Sequence, residues 1–104
     1  MKKSCITCGM PLEGNHAADI GLTLPEGLVC KFDSENGKIK NGDDIFESGV
    51  SFFSTEVADG DRELAARLTR KNMKSLPYWQ AHPFTKLEGK EATNEEFSIA
   101  MSKL

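Results

Sequence analysis

The sequence has no run of about 20 apolar residues, the length a helix needs to cross a bilayer, so it predicts no membrane-spanning helix. Its cysteines number three, an odd count, whereas a secreted disulfide framework is normally even. It has no glycine-rich phosphate loop, no H-E-x-x-H pair and no G-x-S-x-G elbow. The nucleotide-binding, metalloprotease and α/β-hydrolase chemistries that use those motifs therefore have no signature here. Internal repeats and low-complexity tracts are absent as well. The excess of acid over base is only three charges, which gives composition no argument for nucleic acid. Met1-Lys2-Lys3 resembles the start of a signal peptide, but Ser4, Cys5, Thr7 and Cys8 stand where its apolar segment should follow. The expected location is the cytoplasm.

What remains is a chain of 104 residues, 38% apolar and 28% charged, the composition of a globular protein with one modest core. Its charge is uneven. Residues 1–60 carry 5 basic and 10 acidic side chains, and residues 61–104 carry 8 and 6, so any polyanion contact is expected in the second half.

Residues 4–40 are rich in turn formers, among them Gly9, Pro11, Gly14, Gly21, Pro25, Gly27, Asn36 and Gly37. The apolar stretches between them, Leu22–Leu24 and Leu28–Phe32, are short, which predicts loops and small hairpin strands with little core of their own. Such a segment needs a staple. After Gly42 the period changes. Asn41 or Asp43 caps a helix whose face is Ile45, Phe46, Gly49, Val50, Phe53 and Val57. A second helix runs from Asp61 to about Leu76 with Ala65, Leu68, Met73 and Leu76 inward, and Pro77 ends it. Residues 77–92 read as an aromatic loop or a short extended piece. Thr93-Asn94-Glu95-Glu96 has capping-box form and opens a third helix, with Phe97, Ala100, Met101 and Leu104 on its apolar face.

The strongest signal is Cys5-Ile6-Thr7-Cys8-Gly9. Two thiolates two residues apart bind one tetrahedral zinc ion from a tight turn, and the glycine after them lets the backbone fold back toward the sulfurs. Cys30 follows Cys8 after 21 residues, close to the spacing of two metal-binding turns. The second turn reads Cys30-Lys31-Phe32-Asp33, with Asp33 where a fourth cysteine would stand. Carboxylate is a harder donor than thiolate but does ligate zinc. The predicted metal site is Cys5, Cys8, Cys30 and Asp33. His16 and water are the alternatives for the fourth position, and Asp33 is preferred on spacing alone. The competing reading is a metal-free site whose cysteines are small buried hydrophobes. A thioredoxin-like redox pair is disfavoured, because Gly9-Met10-Pro11 follows where a helix should begin and no βαβ pattern surrounds it.

Cys5-x-x-Cys8-Gly9-Met10-Pro11-Leu12 resembles the opening of the small bacterial and archaeal zinc ribbon proteins, which begin with a C-x-x-C-G-M-P turn, carry a later C-x-x-C, and end an acidic helix pair in Leu-Pro-x-Trp. Here Glu35–Lys40 is similar to that family's short hairpin, Asp43–Val57 and Asp61–Leu76 to its helices, and Leu76-Pro77-Tyr78-Trp79 to its terminal motif. The resemblance covers about residues 4–80 and departs at the missing fourth cysteine. It implies a ribbon architecture and the ligands Cys5, Cys8 and Cys30 with Asp33 at the vacant position. It implies no particular activity.

Arg67, Arg70, Lys71 and Lys74 share one side of the second helix, either as a phosphate-contacting stripe or, the preferred reading, as a solvated face. Tyr78 and Trp79 are expected in the core rather than as a stacking platform. His82 has no partner nearby in sequence to make it an acid–base group. The acidic pairs Asp43/Asp44 and Glu95/Glu96 sit at helix starts, where the dipole explains them.

The sequence thus predicts an α+β fold: a zinc-ribbon-like β-knuckle over residues 1–40, a helical pair over 41–80, and an extension with a short helix over 81–104, packed as one unit with three helices. The expected function is a non-catalytic protein- or nucleic-acid-binding module with structural zinc and no membrane partner. The alternatives are a metal-dependent enzyme using an open position on a three-thiolate site, or a metal-free relic acting through its helices.

Overall fold

The computed structural model describes residues 3–104. Met1 and Lys2, part of the Met1-Lys2-Lys3 start considered and set aside as a signal peptide, lie outside the described residues. The fold is mixed α+β, with two small antiparallel sheets followed by helices. A 3-10 turn over Gly14–Asp19 leads into β1 (Ile20–Leu24), which pairs with β2 (Gly27–Cys30) across a tight turn. The pairing matches Leu24 with Gly27 and Leu22 with Val29, then shifts between Leu22 and Ile20, so that Ile20 faces Cys30. A second, two-residue ladder joins β3 (Ser34–Glu35) to β4 (Lys38–Ile39) around Asn36-Gly37.

Helix α1 spans Gly42–Glu56 and α2 spans Arg62–Lys74. Each starts where a side chain satisfies its free amides. Asn41 accepts from the Asp44 amide, and Asp61 accepts from those of Glu63 and Leu64. The two pack along each other and bury Ile45, Phe46, Val50 and Phe53 against Ala65, Leu68 and Met73. α4 (Asn94–Ser102) begins in the expected capping box, with Thr93 and Glu96 each bonding the other's backbone amide. Ala100 is buried there, and Phe97 and Met101 pack on the core's edge.

Two expectations change. The segment after Pro77 is not a loop: α3 spans Pro77–Ala81. Proline ends one helix by restricting Leu76 to extended geometry, but at a first helical position it costs no hydrogen bond, so it also starts the next. Leu104, assigned to an apolar face, lies past the end of α4 and is largely exposed.

The hydrophobic interior has two parts. The larger gathers the helices around Leu68, Met73, Trp79 and Leu87. The smaller, under the N-terminal turns, has only Leu12, Val29, Cys5 and Cys30 fully enclosed. Ile39 touches both. No described helix is long and apolar enough to cross a membrane.

Candidate metal centre

The first cysteine turn is closed by its own backbone. The Gly9 amide donates to the Cys5 carbonyl (2.8 Å) and the Cys5 amide to the Met10 carbonyl (2.9 Å), with Gly9 at φ +81°, where a side chain would be strained. This turn docks on β2: the Ile6 amide donates to the Leu28 carbonyl (2.9 Å), and Cys5 bridges to Leu28. Because β2 ends at Cys30, that docking delivers the second turn to the first. The Cys30–Asp33 turn closes from the Asp33 amide to the Cys30 carbonyl (3.1 Å), and the Lys40 amide holds the Asp33 carbonyl (2.8 Å). Gly21 permits the approach of β1. A Cβ there would stand 2.5 Å from the Lys31 Cα, a backbone atom unable to yield.

The side chains of Cys5, Cys8, Cys30 and Asp33 converge, and one donor atom from each lies within 4.8 Å of all the others. The Cys8 and Cys30 sulfurs are 3.7 Å apart, and the Cys5 sulfur is 3.9 Å from Asp33 Oδ2. A tetrahedron of ~2.3 Å zinc–sulfur bonds has edges of about 3.8 Å, which these two separations match. Cys5 and Cys30 are 1% exposed and Asp33 is 4% exposed, whereas Cys8 is half-buried. The group lies close enough to hold a metal ion.

Electrostatics point the same way. Four acidic groups share one small, mostly dry volume. The cluster favours ionisation of the Cys5 thiol. Its pKa is held far below the ordinary thiol value because the Cys30 and Cys8 thiols, and then the Thr7 hydroxyl and the Cys30 amide, stabilise its anion against burial. That anion works against its neighbours. Cys30 is pushed up to about 12, chiefly by Cys5, and Cys8 is raised by Cys30, Cys5 and burial together. Asp33 is raised by burial, with the Cys5 charge adding to it and the Thr7 hydroxyl opposing it. Three thiolates and a carboxylate cannot all be charged here alone, and a divalent cation removes that conflict.

The surrounding groups are arranged around the anions. The Cys5 sulfur accepts from the amides of Cys30 (3.2 Å) and Thr7 (3.4 Å). The Thr7 hydroxyl donates to Asp33 Oδ2 (2.7 Å), and its oxygen lies 3.0 Å from the Cys5 sulfur, so one hydroxyl links two of the donors. Thr7 is wholly buried, and this explains why a polar residue occupies that place. The helical body grips the same turn. The Trp79 indole donates to the Thr7 carbonyl (2.9 Å) and the Asn72 amide to the Cys8 carbonyl (2.9 Å). Thr7, Asn72 and Trp79 were missed as site residues. The sequence offered one signal for Thr7, a hydroxyl between the two cysteines, and for Trp79 only its place in the Leu-Pro-x-Trp motif.

The other candidates lie elsewhere. His16 is exposed beside Asp19 (3.4 Å) and does not join the cluster. His82 is exposed and rests on the Tyr78 ring. The basic stripe is largely engaged inside the protein. Arg67 bridges Glu63 and Glu96 at 2.7 Å each, Lys74 meets Glu91 at 3.0 Å, and Arg70 donates to the Lys86 and Lys90 carbonyls over the Phe46 ring. Glu96 is thus a structural carboxylate, holding both Arg67 and the α4 cap. Asp44 likewise belongs to the α1 cap. Trp79 is buried in the core, as expected, with Tyr78 edge-on to it.

In comparisons with known proteins, the chain matches no family model, no curated protein and no solved structure.

Proposed function

We propose that the chain is a zinc-ribbon-like binding module in which Cys5, Cys8, Cys30 and Asp33 hold one structural zinc ion. The observation that carries this is the convergence of three sulfurs and a carboxylate from two sequence-distant turns, all within 4.8 Å of one another and largely out of solvent. Three thiolates favour zinc over hard cations such as magnesium or calcium, which take oxygen ligands. The paired turns and the C-G-M-P opening also support kinship with the zinc ribbon proteins.

The donor set supports holding the fold rather than doing chemistry. Asp33 stands at the fourth corner, where a catalytic site would keep water, and its carboxylate is itself anchored by Thr7. The small cluster around Leu12 and Val29 is too slight to order residues 4–40 by itself, which is the service a structural metal supplies. A protein partner is favoured over nucleic acid, since Arg67, Arg70 and Lys74 are committed to internal contacts. A nucleic-acid ligand would instead show affinity that falls steeply with salt.

The test is metal content. Protein purified without added zinc is expected to carry one zinc per chain by atomic absorption. Cys8→Ser is expected to lose metal and thermal stability together, and a strong chelator is expected to do the same to the wild type. A wild-type protein free of metal, and unaffected in melting by zinc or chelator, overturns the reading.

A further inference from the structure

We propose that Cys8 is a modification site for hydroperoxides, and that Cys30 resolves the oxidised sulfur into a Cys8–Cys30 disulfide that dismantles the metal centre. The juxtaposition behind it is the 3.7 Å between these two sulfurs together with the partial exposure of Cys8 alone among the three cysteines. As metal ligands all three sulfurs are thiolates, so access selects among them, and Cys5 and Cys30 are each 1% exposed. Forming a bond of ~2.05 Å asks the two sulfurs to close by less than about 2 Å.

A C-x-x-C pair would ordinarily be expected to close on itself, Cys5 to Cys8. Here Cys5 is the wrong partner. Its sulfur is held by the Cys30 and Thr7 amides and touches the Thr7 hydroxyl, so leaving that place abandons three contacts. Among the described residues no backbone amide donates to the Cys30 sulfur, which lies 3.7 Å from that of Cys8 and is the freer of the two to turn.

The chemistry balances. The Cys8 thiolate attacks a peroxide oxygen, the O–O bond breaks, and the departing alkoxide or hydroxide takes a proton from water. Cys8 becomes a sulfenic acid. The Cys30 thiolate then attacks that sulfur, the S–O bond breaks, and hydroxide leaves as water. Two thiolates, one hydroperoxide and two protons give one disulfide, one alcohol or water, and one further water. Both sulfurs are thereby lost as metal donors, and Cys5 with Asp33 cannot complete a tetrahedron. The release of metal, and the thiolate state of Cys8 and Cys30, rest on the function proposed above. The choice of Cys30 as the partner of Cys8 follows from the positions of the sulfurs.

The experiment treats the full-length, reduced, zinc-loaded chain with hydrogen peroxide in the presence of a chromogenic zinc indicator. Free thiols are counted under denaturing conditions, and the linkage is mapped by mass spectrometry. The expected result is a fall from three thiols to one, a Cys8–Cys30 link, a surviving Cys5 thiol, and zinc appearing in step with the disulfide. Cys30→Ser is expected to stop at the sulfenic acid, trapped on Cys8 by dimedone. A Cys5–Cys8 link, or three thiols surviving peroxide, overturns the proposal. Zinc-free protein that still forms the Cys8–Cys30 bond supports this inference while defeating the metal reading. Zinc-bound protein whose thiols survive does the reverse.

Discussion

Replacing Thr7 by valine removes one hydroxyl and preserves the shape of a side chain that solvent does not reach. The loss falls on the Asp33 carboxylate, which accepts the hydroxyl proton at 2.7 Å, and removes the 3.0 Å contact with the Cys5 sulfur. A hydrogen bond to a charged group contributes ~1.5–3 kcal/mol, and outer contacts of this kind are worth about 10–100-fold in metal affinity, so the two estimates agree. Thr7→Val is therefore expected to weaken zinc binding by about 10–100-fold. At a fixed free zinc concentration above both dissociation constants, the stabilisation that zinc confers shrinks by about 1.4–2.7 kcal/mol. For a domain near 100 residues this lowers the melting temperature by roughly 6–20 °C. Competition against a chromophoric chelator measures the affinity, and melts with zinc and with excess chelator separate the metal's share from any cost to the metal-free fold. Thr7→Ser, which keeps the hydroxyl, is the matched control. A folded Thr7→Val protein with wild-type zinc affinity would refute the assignment of Thr7 to the site.

Asp33→Asn is expected to reverse sign with metal. In the metal-free protein burial raises the Asp33 pKa above its unfolded value, so the wild type loses stability as pH rises from the unfolded carboxyl value through the folded one. The asparagine variant escapes that loss and is the more stable of the two above this window, with no difference below it; with zinc bound it has given up a ligand and is the less stable, as paired pH-dependent melts would show. Trp79→Phe keeps the aromatic bulk but strands the buried Thr7 carbonyl, and is expected to cost about 1–3 kcal/mol in denaturant unfolding, against little or no change if that bond is incidental.

Local signals were the legible ones. Asp61 and Thr93 announced helix starts, and Asn41 was one of two residues that did so for α1, because a cap is decided by neighbours within a single turn. The cysteine turn was legible for the same reason, and the gap to Cys30 together with the place of Asp33 after it sufficed to suggest the cluster that forms. The grip of Trp79 on Thr7 spans 72 residues of sequence, and nothing local encodes which carbonyl an indole will meet. The basic helix misled in a similar way. Its spacing is that of a charged stripe, yet Glu91, Glu96 and the carbonyls after α3 come from a segment whose path no periodicity revealed. Pro77 was read only as a stop signal, although its fixed φ serves a first turn equally well.

The chain contains a single tryptophan, and its ring nitrogen is hydrogen-bonded to the loop between the first two cysteines. Indole emission responds to the polarity and hydrogen bonding around that nitrogen. The molecule thus carries its own optical gauge: a spectrum recorded during titration follows the first cysteine loop directly, with no label attached, and reports on the join between the two halves of the fold.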